Sequence, residues 1–128
     1  MKKQLRKITI NNAEYLYTIS QKYLPSTKTN LLTIKVFLSG QKLTPLFIDF
    51  LTLDDYYLGN LLNAGINLPN STTNEITYVN LNKPKFIREF ILLGLKHGWT
   101  GTNKIEVQNG MNYLKELGYE VGKLQPEG

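Results

Sequence analysis

Leu31-Leu32-Thr33-Ile34-Lys35-Val36-Phe37-Leu38-Ser39 and Pro45-Leu46-Phe47-Ile48-Asp49-Phe50-Leu51-Thr52 are the two stretches whose reading decides the fold. Both are rich in β-branched and aromatic residues, and Gly40-Gln41-Lys42-Leu43-Thr44 separates them, so they read as an antiparallel strand pair. One register stands out. With Lys35 opposite Asp49, Phe37 meets Phe47 on the same side, while Val36 meets Ile48, Ile34 meets Phe50 and Leu38 meets Leu46 on the other. That pairing satisfies an ion pair, an aromatic pair and an apolar inner face at once. The outer face then carries Phe37, Phe47 and Leu51, which are expected to be covered by a helix, a loop or another subunit. These three are the candidate binding residues.

Upstream, Ile8-Thr9-Ile10 and Tyr15-Leu16-Tyr17-Thr18-Ile19 flank Asn11-Asn12-Ala13-Glu14. Asparagine tolerates the left-handed backbone of a tight turn, so a hairpin is expected, its register deciding whether the two apolar sets share a face. Leu24 to Asn30 has Pro, Ser, Thr and Asn without periodicity and reads as a loop.

Downstream, Thr52-Leu53-Asp54-Asp55 resembles a capping box, with Thr52 as N-cap. Tyr56, Tyr57, Leu58, Leu61 and Leu62 follow at helical spacing, so a short helix is expected, weakened by Gly59 and ended by Gly65. Asn67 to Asn74 reads as a polar loop and Glu75 to Leu81 as a strand. Pro84 opens the main helix, expected over 84–97, because Phe86, Ile87, Phe90, Ile91, Leu93 and Leu95 form a broad apolar face. Asn82 is its expected cap, Gly98 its left-handed stop, and Trp99 is placed to fold back onto the helix. Ile105 and Val107 alternate like a strand. Asn109-Gly110 is a strong hairpin signal, yet Met111, Leu114 and Leu117 recur at helical spacing before Gly118, so 109–117 is open between hairpin and helix, with strand then short helix preferred. Residues 120–128 read as a tail of a single domain spanning 1–128.

The fold class that follows is α+β: a mainly antiparallel sheet of four to six strands, one main helix packed on one face and one or two short helices. Composition is that of an ordinary globular domain, with 41% apolar and 20% charged residues in 128. The absence of cysteine excludes a disulfide scaffold, a thiol nucleophile and thiolate metal sites. A single histidine, His97, cannot build the histidine-rich shell of a typical catalytic zinc site. No cofactor and no metal site are expected. The formal charge is +5, but Lys2, Lys3, Arg6 and Lys7 hold four of those charges and leave +1 over the remainder, so the basicity is local. No apolar run is long enough to span a bilayer and the basic start runs into Ile-Thr-Ile-Asn-Asn, so a cytoplasmic protein with no membrane partner is expected.

Two polar and aromatic clusters are the alternative site residues. Asp54-Asp55-Tyr56-Tyr57 joins two carboxylates to two phenols, and His97 lies beside Trp99. Adjacent side chains on a helix point about 100° apart, so the carboxylates are better explained as offsetting a helix dipole than as a shared site. His97 at a helix end and Trp99 after its cap likewise have structural explanations.

Val79-Asn80-Leu81-Asn82-Lys83-Pro84-Lys85-Phe86-Ile87-Arg88, continuing to Gly94-Leu95-Lys96-His97-Gly98-Trp99, resembles an element of small bacterial proteins of unassigned function, in which a strand leads through Pro into a helix that ends in Gly-Trp. The resemblance covers about a third of the chain and implies no activity. The expected function is a non-enzymatic bacterial interaction module, immunity-like or accessory, with a protein partner or a second copy of the chain. The alternative is a nucleic-acid-binding accessory protein using the basic arm, although no specific nucleic-acid binding is expected, and the third reading is a small hydrolase using Asp54, Asp55 or His97.

Overall fold

The computed structural model describes residues 5–124. In chain order its elements are β1 (Arg6–Ile10), β2 (Ala13–Leu24), β3 (Thr29–Leu38), β4 (Leu46–Asp55), β5 (Gly59–Asn60), α1 (Leu61–Ala64), β6 (Ile66–Asn70), β7 (Glu75–Val79), α2 (Pro84–Lys96), β8 (Gln108–Asn109) and α3 (Gly110–Glu116). The class is α+β. Strands β1-β2-β3-β4 form an antiparallel meander that β5 and β8 complete as a six-stranded sheet, β8 running parallel to β4, while β6 and β7 make a separate two-stranded sheet.

The first hairpin turns on Asn11 and Asn12, at φ 51° and 67°, the two left-handed positions that a two-residue turn requires. Its register sets Ile8 opposite Tyr15 and Ile10 opposite Ala13, so Ile8, Ile10, Tyr15 and Tyr17 do share one face. Strands β2 and β3 extend further than the composition of Leu24 to Asn30 suggests. Leu24 and Thr29 still pair, and the turn is confined to 25–28, with Lys28 in the left-handed region at φ 53°.

The central pair β3/β4 keeps the expected faces and corrects the register by two residues. Ile34 opposes Ile48, Leu32 opposes Phe50, Val36 opposes Leu46, Lys35 opposes Phe47 and Thr33 opposes Asp49. A shift of two leaves every side chain on its own face, so Leu32, Ile34, Val36, Leu46, Ile48 and Phe50 are all fully buried. It does, however, separate Lys35 from Asp49 and Phe37 from Phe47.

Helix α2 packs across that inner face, with the Phe90 ring 5.1 Å from Phe50 and Gly94 set against Leu46. Phe86, Ile87, Phe90, Ile91 and Leu93 are buried, each contributing roughly 1.5–3 kcal/mol relative to exposure. The helix begins at Pro84 after Lys83 with no side-chain cap; Asn82, the expected cap, instead donates to Asn63 and Asn80. It ends as expected: Gly98 takes φ 109°, Trp99 N donates to Gly94 O at 2.9 Å and Gly98 N to Leu95 O at 3.3 Å, the paired bonds of a Schellman cap.

The helix expected from Thr52 does not form there. Strand β4 runs on to Asp55, Thr52 is buried with its hydroxyl unpartnered among the described residues, and α1 begins only at Leu61 and stops at Gly65. Asn67 to Asn70, expected as loop, is strand β6; Asn70 Oδ1 accepts from Thr72 N and Thr73 N and closes its hairpin with β7. Asn109-Gly110 starts a helix rather than a hairpin, because the Asn109 side chain caps α3 by accepting from Met111 N and Asn112 N. Gly110 is required there for space, since a Cβ would collide with the Phe50 ring. The strand before it is limited to Gln108–Asn109; Ile105 and Val107 lie outside it. Glu120 to Leu124 is no tail: Val121 and Leu124 are buried, Glu120 N donates to Pro69 O and Leu53 N to Leu124 O. Residues 125–128 lie outside the described residues.

Candidate functional site

Both described helices of more than one turn lie on the inner side of the sheet, which leaves the outer face open around Phe47 and Leu51. Its rows run across the strands: Thr18, Lys35 and Phe47; Ser20, Thr33 and Asp49; Lys22, Leu31 and Leu51. Phe47 is 36% and Leu51 40% exposed, whereas Phe37, the third expected binding residue, stands on the same face opposite Leu16 but is buried at 7%. The expectation that a helix or loop covers Phe47 and Leu51 is not met among the described residues.

The shifted register sets the electrostatics of this face. Lys35, opposite Phe47 instead of Asp49, lays its ammonium 5.8 Å from the Phe47 ring centroid. Asp49 accepts a hydrogen bond from the Thr33 hydroxyl at 2.8 Å, and no Lys, Arg or His among the described residues pairs with it. Where the outer face meets β8 and the start of α3 there is an open cleft of about 690 Å³. Leu31, Leu51, Val107 and Met111 give it apolar walls, and Asp49 lies within the lining beside Gln108 and Asn109.

Gln108 links the cleft to a second polar cluster on α2 and α3. Tyr113 donates its hydroxyl proton to Gln108 Oε1 at 2.9 Å and stacks on His97 with ring centroids 5.5 Å apart. His97 and Lys96 both hold the Glu116 carboxylate. Burial alone would raise the Glu116 carboxyl, but the hydrogen bonds from His97 and Lys96 and the charges of those groups hold it below its ordinary value of 4.5. Burial, with the Glu116 charge adding to it, pushes the Tyr113 phenol up to about 12, so it is a firm donor at neutral pH. Glu116 was not legible as a partner for His97: it comes from another helix, nineteen residues away.

The alternative site residues are not brought together. Trp99 is 1% exposed, donates its indole N–H to Thr44 O at 3.0 Å and packs on Tyr15 at 5.8 Å, which anchors it at the beginning of β4. Asp54 and Asp55 are at the other end of that strand, roughly 30 Å away at the usual rise per residue. Asp54 accepts from Asn30 at 2.7 Å, and Asp55 caps a turn by accepting from Tyr57 N and Leu58 N, both at 2.9 Å. The two carboxylates therefore do structural work, though on a strand end and a turn instead of a helix. Tyr56 and Tyr57 project into solvent edge to face, with centroids 4.9 Å apart. Among the described residues no three His, Asp or Glu side chains cluster as a metal site would need, and no helix is long and apolar enough to cross a membrane. Arg6 donates to Asn82 O at 3.3 Å, so one of the four basic-arm residues is tied to the body of the fold. No family model, curated protein or solved structure matches the chain.

Proposed function

We propose that the chain is a non-enzymatic protein-binding module, an accessory or immunity-like protein of a bacterial cell, and that it binds its partner through the outer face of the sheet around Phe47 and Leu51. The carrying observation is that face itself: Phe47 and Leu51 stand partly exposed on a sheet whose opposite side is fully packed, and Leu51 lines a cleft of about 690 Å³. A face of alternating apolar and polar residues on a rigid scaffold is suited to burial against another protein.

The nucleic-acid reading receives less support. The middle of the face holds the Asp49 carboxylate, which repels phosphate, and the aromatic ring available for stacking there already lies under Lys35. The hydrolase reading needs Asp54, Asp55 or His97 to act on a common substrate, and these residues are engaged in separate places.

Substitution at the face is the test. Phe47→Glu and Leu51→Glu place a charge where the wild-type side chain is already partly solvated, so both variants are expected to keep the fold. Arg88→Glu, on the exposed side of α2, is the control. A partner that copurifies with the wild type and with Arg88→Glu but not with the two face variants supports the reading. A partner lost only with Arg88→Glu overturns it.

A further inference from the structure

The cleft beside Asp49 specifies what its occupant must be. Its walls, Leu31, Leu51, Val107 and Met111, are apolar and offer nothing to a polar group. Of its three polar members, Gln108 is engaged through both its oxygen and its nitrogen, and Asn109 through its oxygen alone. The Asn109 side chain accepts from Met111 N and Asn112 N as the cap of α3. The Gln108 amide accepts from Tyr113 and donates to Glu106 O at 2.7 Å. Asp49 differs: a carboxylate has acceptor capacity for about four donors, and Thr33 supplies one. The nearest cation in the register, Lys35, is turned to the Phe47 ring.

An occupant that leaves Asp49 without a donor would strip water from a carboxylate and return nothing, which opposes binding. A neutral apolar plug is therefore disfavoured, and an acidic one is repelled. A side chain with a long methylene stem and a cationic head meets both demands, the stem against the leucines and the head on the carboxylate. We infer that the cleft bounded by Leu31, Leu51 and Val107 receives a lysine or arginine side chain of the partner protein, paired to Asp49. This rests on the outer face being the binding face, and it adds which partner chemistry that face selects.

A library of random twelve-residue peptides displayed on phage, selected against the immobilised full chain, tests it. The enriched peptides should share a Lys or Arg flanked by apolar residues. Their affinity should fall about tenfold for Asp49→Asn, the scale of one hydrogen bond to a charged group, and should be lost with Leu51→Glu. Asp49→Asn keeps an acceptor for Thr33, and its far-ultraviolet circular dichroism should match the wild type. Peptides without a basic residue, bound as tightly by Asp49→Asn as by the wild type yet lost with Leu51→Glu, overturn the inference and leave the face reading intact. Peptides indifferent to both substitutions overturn both.

Discussion

Lys35 and Phe47 stand directly opposite one another across β3 and β4, the ammonium 5.8 Å from the ring centroid. That pairing leaves Asp49 opposite Thr33, hydrogen-bonded to it and free of any ion pair among the described residues. A carboxylate thereby remains available in the middle of the outer sheet face, away from Glu14 and Asp55 at its ends.

Double-mutant cycles measure this arrangement. The Thr33/Asp49 pair should return a coupling of about 1 kcal/mol, and Lys35/Phe47 about 0.5 kcal/mol, the size of an exposed cation–π contact. Lys35/Asp49 should couple by less than about 0.5 kcal/mol, as exposed charges outside ion-pair distance do. Urea unfolding of the single and double variants gives the three values; Lys35/Asp49 as the strongest of them would restore the ion-paired register.

Trp99 is a core residue whose loss should be costly. Its ring is 1% exposed and bridges the end of α2 to Thr44 and Tyr15. Trp99→Ala should lose about 3–5 kcal/mol in denaturant unfolding. A loss below about 1 kcal/mol, typical of surface positions, would contradict its place in the core.

The α2–α3 cluster should make stability fall at both ends of the pH scale. Glu116 is held below its ordinary 4.5 in the folded state, so its contribution is present above the unfolded value and is lost as the pH falls through the folded one. Tyr113 is raised from 10.0 to about 12, so its contribution is complete below the unfolded value and is lost as the pH rises through the folded one. Thermal unfolding of wild type, Glu116→Gln and Tyr113→Phe across pH checks both signs. The Glu116→Gln difference should close on acidification, and Tyr113→Phe should remove part of the alkaline loss between about pH 10 and 12. A Glu116→Gln difference that widens in acid would contradict the first.

Nucleic acid should bind weakly and without sequence preference. With Arg6 engaged by Asn82, the basic arm retains Lys2, Lys3 and Lys7, of which Lys2 and Lys3 lie outside the described residues. Lys7, Lys22 and Lys35 are on the outer sheet face, whereas Lys83 and Lys85 are at the start of α2, over the Tyr78 and Phe86 rings. Three phosphates neutralised give a log–log salt slope no steeper than about −3. Anisotropy titrations of labelled DNA and RNA measure it, and sub-micromolar affinity near 150 mM salt would contradict it.

The faces of the central sheet were legible because period-two alternation over nine residues leaves one face wholly apolar. The register was not, since a shift of two preserves those faces, and an imagined Lys35–Asp49 ion pair favoured the wrong one. The seven residues from Ser39 to Pro45 between the strands, more than the five expected, carry the difference. Thr52 to Leu62 misled for a different reason. Asp55 does cap backbone N–H groups, but of a turn, and the apparent helical spacing of Tyr56, Tyr57 and Leu58 is that of an exposed tip. Strand β6 was hidden by Pro69 and two asparagines, a composition tolerated because only β7 pairs with the whole strand, its other edge meeting Tyr119 and Glu120 at Pro69 and Asn70 alone. All three expected binding residues lie on the outer face, but only Phe47 and Leu51 are exposed on it, and Phe37 is buried. The cleft depends on Val107 and Met111, which reach the sheet through a two-residue parallel pairing that no local pattern announces.

Photo-crosslinking from single positions, in cells that produce the full chain, tests the outer face most directly. A benzoylphenylalanine placed at Leu51 or Val107, both on the cleft, should form a covalent adduct with a second protein, and the adduct should disappear when Phe47→Glu is added to the same chain. The same probe at Glu89, on the exposed side of α2, should give none. Adducts from position 89 with none from 51 or 107 would show that the outer sheet face is not where this protein meets its partner.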